Sequence, residues 1–312
     1  MNSVKYSALT RRGQDMNFTP QWLKKRIVVN EEFFNTKKAL SDLSVDTVCE
    51  SSRCPNLNEC FSRKFVTFMI LGSVCTRTCA FCSVDKGNTS PVDCQEPARI
   101  RDCVSRLGLK YVIITSVTRD DLADGGAGQF VKVVECIKHG LRNVVIELLI
   151  PDFAGNADSV KTVALSGADI IGHNIETIRR LYPAVRNGAG YSRSLGILKS
   201  IKEISPGTLT KSAILVGLGE KEEEVVEAMR DLRNADCDIL TIGQYLRPSQ
   251  NHYPAARFVT PEEFQRFIKH GKDMGFKNMS AGPFVRSSYM AEENFKEVSH
   301  DKCYSAAVSA RR

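Results

Sequence analysis

Hydrophobic and polar positions change rhythm along this 312-residue chain. Six short apolar runs rich in β-branched residues stand out, over 66–71, 111–115, 144–150, 169–173, 212–217 and 238–244. Runs of this length with little polar alternation predict parallel strands buried on both faces. Between them apolar residues recur at helical spacing, as over 128–139, 157–166, 193–203 and 220–234, with Ser, Thr, Asp or Gly at the ends. A last helical segment over 261–274 starts with Thr260 as N-cap and Pro261 at the first helical position. Alternating strands and helices are the pattern of βα repeats. Six units are too few for a closed eightfold barrel. They fit an α/β fold of the partial (β/α)6 barrel type, with its active site at the C-terminal strand ends; a doubly wound open sheet would show the same pattern. Before these repeats runs a polar lead-in with an amphipathic stretch over 21–27 and a helix-like segment over 31–43.

With 42% hydrophobic and 25% charged residues, the chain reads as globular rather than disordered. No apolar run approaches the ~20 residues of a membrane span, so no membrane association is expected. The N-terminus lacks an apolar core followed by a cleavage site, and a cytoplasmic location is expected. The net charge of +7 reflects either ordinary surface variation or an acidic partner. No dense Lys/Arg run accompanies it, so nucleic acid is not expected as a partner.

Cysteine usage changes the picture. Of eleven cysteines, six lie between Cys49 and Cys82. In an enzyme of the cytoplasm such crowding points to metal rather than disulfides. Directly after the first predicted strand comes Cys75-Thr-Arg-Thr-Cys79-Ala-Phe-Cys82. Three thiolates at this spacing can hold three corners of a cubane iron–sulfur cluster and leave the fourth iron open, as catalytic metal sites require. A zinc site would need a fourth ligand, and the nearest histidines in sequence, His139 and His173, are far away. Upstream, Cys49, Cys54 and Cys60 form a second triad, again one ligand short of a closed site. From the residues alone this triad is an electron-relay cluster, a zinc site with a remote ligand, or a cluster that is itself consumed.

Cys-x3-Cys-x-aromatic-Cys after a first strand, with Phe81 as the aromatic, resembles the radical S-adenosylmethionine superfamily. That resemblance implies that Cys75, Cys79 and Cys82 hold a 4Fe–4S cluster whose open iron binds S-adenosylmethionine and reduces it to a 5′-deoxyadenosyl radical. Such a cofactor carries the difficult chemistry, while the protein supplies position and excludes water. The upstream triad at a spacing of four and then five, together with Arg286-Ser287-Ser288-Tyr289, resembles the lipoyl synthases within that superfamily. The likeness extends from about Trp22 to Ala291 and takes in segments 119–127, 173–177, 217–220 and 243–249.

The resemblance implies a second 4Fe–4S cluster on Cys49, Cys54 and Cys60, with Ser288 as its fourth ligand and Ser287 as the alternative. A serine oxygen is a harder, more easily protonated ligand than a thiolate. The implied activity is a sulfurtransferase reaction. Two sulfur atoms enter at carbons 6 and 8 of an octanoyl-lysine on a carrier domain, the auxiliary cluster gives the sulfur, and two S-adenosylmethionine molecules are used per lipoyl group. Cys75, Cys79, Cys82 and Ser288 are thus the candidate catalytic residues.

Thr115 and Ser116, Asn174 and Glu176, and Arg193 are candidate contacts to S-adenosylmethionine; loop capping and surface pairing are the competing roles. Implied partners are octanoylated 2-oxoacid dehydrogenase E2 subunits and the glycine cleavage H protein. A ferredoxin or flavodoxin as electron donor and an iron–sulfur carrier that rebuilds the spent cluster are implied as well. The expected division is an N-terminal extension over 1–61, the barrel over 62–280 and a C-terminal segment over 281–312. Cys94, Cys103, Cys136, Cys237 and Cys303 stand singly and receive no ligand role. The tail beyond Ala291 has no usable pattern and is expected to be mobile. The alternatives are another sulfur-inserting radical enzyme with an auxiliary cluster, or a zinc-stabilised binding module.

Overall fold

The structure, a computed structural model, describes residues 20–299. Seven strands form one all-parallel sheet in chain order: β1 Thr67–Ile70, β2 Tyr111–Ser116, β3 Val145–Leu149, β4 Ile170–Gly172, β5 Leu209–Val216, β6 Ile239–Gln244 and β7 Asn278–Gly282. Each strand pairs with the next, but β7 does not return to β1, so the barrel stays open. The first six strands match the apolar runs of the sequence. The seventh was not visible there, because Asn-Met-Ser-Ala-Gly is poor in β-branched residues. It is a strand because it pairs with β6, from Ile239 opposite Asn278 to Gly243 opposite Gly282.

Helices α4 (Glu96–Leu107), α5 (Ala127–Gly140), α6 (Ala157–Ala164), α8 (Tyr191–Ile204), α9 (Glu222–Asn234) and α10 (Pro261–Asp273) connect successive strands. Ahead of β1 stand α1 (Glu31–Asp42), α2 (Val48–Ser51) and α3 (Leu57–Ser62); α7 (Tyr182–Val185) precedes α8. The amphipathic stretch over 21–27 is helical only over Gln21–Leu23. Strand alternation sends Phe68, Ile70, Val112, Ile114, Ile146 and Leu148 into one large core with α4, α5 and α6. Helix α10 begins as its sequence predicts: Thr260 caps the Glu263 amide and the Glu263 side chain returns to the Thr260 amide. Its Phe264 and Phe267 are buried, each stabilising the fold by about 1.5–3 kcal/mol.

The opposite strand face lines the inside of the open barrel. At its N-terminal end Tyr111, Ile113, Ile170, Leu209 and Ile239 converge on Ala291, Phe295 and Val298. Those last three belong to α11 (Ala291–Ser299), an ordered helix in a stretch expected to be mobile. The helix plugs the bottom of the barrel and leaves the space above it as a cavity. No described helix is long and apolar enough to cross a membrane.

Candidate functional site

The chain leaves β1 through two left-handed residues, Leu71 and Gly72 (φ 69° and 85°). Gly72 takes that geometry without strain, whereas Leu71 is held in it by its neighbours. Three buried polar groups hold the exit. Glu96 accepts the Leu71 amide at 3.0 Å, Gln129 donates to Glu96 at 2.9 Å, and Arg119 donates to the Leu71 carbonyl at 3.2 Å. Glu96 and Gln129 were not singled out in the sequence, and Arg119 figured there only as the first residue of segment 119–127.

Cys75 then pairs in parallel with Lys86, which closes the cysteine loop at its base. The Arg77 and Thr118 amides each point at the Cys75 sulfur at 3.4 Å. Ala80 bonds Val185 and is bonded by Tyr253, so the loop is fixed from both sides. Burial pushes the Cys79 thiol up and the Cys82 thiol up to about 11. In the upstream triad Cys49 lies on α2 and Cys60 on α3, with Cys54 between them after left-handed Arg53 (φ 51°). Burial, then the neighbouring Cys54 sulfur, pushes both the Cys49 and Cys60 thiols up to about 12.

All six thiols, unpaired with one another, line a single cavity of about 370 Å³. Ser287 and Ser288 line it too, brought from more than two hundred residues away. The Arg286–Tyr289 turn is fastened to the upstream triad. Tyr289 donates to Glu59 at 3.0 Å, Asn56 donates to the Phe284 carbonyl at 2.7 Å, and Arg63 pairs with Glu293 at 2.7 Å. Lys25 is the hub: its ammonium lies 2.6 Å from Asn56, 2.5 Å from Glu59, and over the Phe284 and Tyr289 rings at 5.2 and 5.3 Å. On the other side the turn lies against β6 at Gly243, where an added Cβ would fall 2.0 Å from the Val285 carbonyl.

Thr115, Ser116, Asn174 and Glu176 also line the cavity. The Thr115 hydroxyl is taken up by the Leu149 carbonyl at 2.9 Å. Asn174 donates to Glu176 at 3.0 Å, and Glu176 sits at a left-handed φ of 63°. Burial pushes the Glu176 carboxyl up, and the Arg186 charge opposes that. Arg193 is placed elsewhere: it pairs with buried Asp152 at 3.0 Å and is not in the cavity wall. Asp152 also takes Arg77 at 2.6 Å, which supports the cysteine loop instead. Cys94, Cys103, Cys136 and Cys237 lie outside the wall, and Cys303 lies outside the described residues.

The donor set fits thiolate-held clusters and a polar cofactor. Buried thiols resist ionisation on their own, and metal takes the place of their protons. Among the described residues no three His, Cys, Asp or Glu side chains converge on one point as ligands of a single ion would. Three buried polar atoms in the wall have no protein partner: Ser116 Oγ, Asn174 Oδ1 and Thr241 Oγ1. Such atoms are rare unless a ligand satisfies them. Two guanidinium groups in the wall, on Arg186 and Arg286, form no ion pair among the described residues. Both went unremarked as single residues in the sequence.

The pattern of the Radical SAM superfamily matches residues 69–232. A lipoyl synthase of Caldanaerobacter subterraneus subsp. tengcongensis is 52% identical over 273 residues, covering 88% of this chain and 95% of its own. A lipoyl synthase of Rubrobacter xylanophilus is 50% identical over 279 residues, covering 89% and 87%. That of Aquifex aeolicus is 50% identical over 263 residues, covering 84% and 95%. Among solved structures, methylornithine synthase (PylB) shares the fold with a TM-score of 0.50 at 15% identity, covering 78% of this chain and 81% of its own. HydG, a hydrogenase maturase, does so with a TM-score of 0.52 at 14% identity, covering 84% and 70%.

Proposed function

The chain belongs to the lipoyl synthases of the radical SAM superfamily, and from that premise we propose how its own residues divide the work. As a family member it is a sulfur-inserting enzyme that uses S-adenosylmethionine and two 4Fe–4S clusters and acts on lipoyl-carrier proteins. In the proposed division Cys75, Cys79 and Cys82 hold the cluster that binds S-adenosylmethionine. Cys49, Cys54, Cys60 and Ser288 hold the second, with carbons 6 and 8 of the octanoyl-lysine as the positions that receive sulfur. When bound, these groups supply one-electron cleavage of S-adenosylmethionine and the sulfur that is transferred.

The protein's part is binding, orientation and dryness. Ser116, Asn174 and Glu176 offer hydrogen bonds to the polar cofactor. Arg186 and Arg286 offset the negative charge that six thiolates bring. Met69, Phe81, Ile113, Leu149 and Leu215 make the rest of the wall apolar, suited to an acyl chain and poor for water. The observation that carries the reading is that both cysteine triads and Ser288 line one cavity.

E2 subunits and the H protein are the proposed carriers, with a ferredoxin or flavodoxin as reductant and an iron–sulfur carrier for repair. The proposed division is an N-terminal extension over 1–61 that carries the auxiliary-cluster cysteines, a radical SAM partial barrel over 62–280 and a C-terminal segment over 281–312 with the Arg-Ser-Ser-Tyr motif, in a cytoplasmic enzyme. Anaerobically prepared protein is expected to hold about eight irons and to convert an octanoyl-lysine peptide to the lipoyl form. Ser288→Ala should abolish conversion while Cys75, Cys79 and Cys82 keep their share of iron. Full conversion by Ser288→Ala would remove Ser288 from the ligand set. A full iron content without product would favour the alternative, a radical enzyme whose second cluster only relays electrons.

A further inference from the structure

Among the described residues of the cavity wall Arg53 alone is exposed, which places the cavity's rim at the turn between Cys49 and Cys54. Three more basic side chains gather there. Lys86, exposed, lies on the short extended piece paired with Cys75. Arg247 stands between Leu246 and Pro248, both in the wall. His252 lies 3.2 Å from the Cys82 carbonyl through Nε2 and 2.8 Å from the Ser249 hydroxyl through Nδ1. Arg247 spends its donors on the Gln250 and His252 carbonyls. None of the four basic groups joins an ion pair among the described residues, and neither does neighbouring Asp85.

Unpaired cations around the mouth of a largely apolar cavity are costly as mere surface, because they repel one another. They make sense where an anionic surface comes to rest. A substrate lysine carried on a folded domain brings that domain within one side chain's length of the rim, so the rim must touch the carrier. We propose that Arg53, Lys86 and Arg247 form a docking collar for an acidic patch on the lipoyl-carrier protein beside its acylated lysine. This rests on the lipoyl synthase reading and adds to it where the carrier sits. Rim charges of this kind act chiefly on the rate of encounter and on its salt dependence.

The test uses holoenzyme with a purified octanoylated lipoyl domain of an E2 subunit, and separately an uncharged octanoyl-lysine peptide. Lys86→Glu should slow association of the domain by about tenfold at low salt and flatten its salt dependence, while turnover of the peptide stays at the wild-type rate. Arg53→Glu should slow association of the domain similarly. Association and salt dependence unchanged by both variants would overturn the collar. So would an equal loss on domain and peptide, which would place Lys86 in the reaction itself. An oligonucleotide that binds at the rim and that the lipoyl domain does not displace would assign the cations to nucleic acid and also overturn it. If wild type binds the domain but converts neither substrate, the lipoyl reading fails while the collar stands on binding alone.

Discussion

Lys211 and Glu147 are each 1% exposed and meet inside the barrel at 2.8 and 2.9 Å, on β5 and β3. The Tyr111 hydroxyl donates to the same carboxylate from β2. The pair lies in the barrel interior, where either charge alone would be left without water. Lys211→Met should therefore destabilise the protein by about 3–5 kcal/mol, whereas adding Glu147→Met should recover most of that loss. Chemical denaturation of both variants checks this; a double variant as unstable as the single one would refute it. The same residue explains why β5 was read from the sequence as starting at Ser212. Thr210 and Lys211 count as polar and so break the apolar run. In the fold Thr210 donates to the Asp236 carbonyl at 2.9 Å and Lys211 has Glu147. Arg193 errs in the opposite direction. It was a candidate contact to S-adenosylmethionine, with surface pairing as the competing role, and the carboxylate it meets is the protein's own Asp152.

Between elements, the contacts that matter join segments far apart in sequence. Lys25 ties the N-terminal coil to α3 and to the Arg286–Tyr289 turn at once. Lys25→Met removes the charge and keeps most of the stem. Amide hydrogen exchange over 284–290 should then rise by about tenfold, the cost of a charge-assisted hydrogen bond to a partly buried group. Unchanged exchange would show that Lys25 is not what fastens the turn. Nothing in the local sequence marks Lys25, because its partners are set by tertiary packing alone. The two cysteine motifs were legible for the converse reason: their ligands are close in sequence and their spacing is the geometry. β7 and α11 lay between these cases. Each has weak local preference and is held by a neighbour, β7 by β6 and α11 by the barrel interior.

For the molecule as a whole, acid stability carries the mark of His173. It is completely buried, with Nδ1 2.9 Å from the Ile150 carbonyl and Nε2 2.9 Å from the Ser194 hydroxyl. Burial, with the charge of Arg186 beside it, lowers its pKa well below the ordinary value. Above pH ~6.5 the ring is neutral in both folded and unfolded chains. As pH falls below that value the unfolded chain takes up a proton that the folded one refuses. Stability should then drop by up to about 1.4 kcal/mol per pH unit from this group. His173→Gln should flatten the decline between about pH 6.5 and pH 5, as followed by urea midpoints. A decline as steep as in wild type would clear His173 of the effect. The open barrel itself was legible as six βα units, and its closure by the chain's two flanks was not, since that closure is made by contacts such as Arg63–Glu293 across 230 residues.

The clamp between Lys25 and the Arg286–Tyr289 turn also sets an order of events during synthesis. Among the described residues, every other part of the cavity wall leaves the ribosome before residues 284–293 do. Until those residues arrive, both cysteine triads face an unfinished space with one side missing. The turn that brings Ser288 is thus the last part of that wall to be made, and no nascent chain short of it encloses the six thiols.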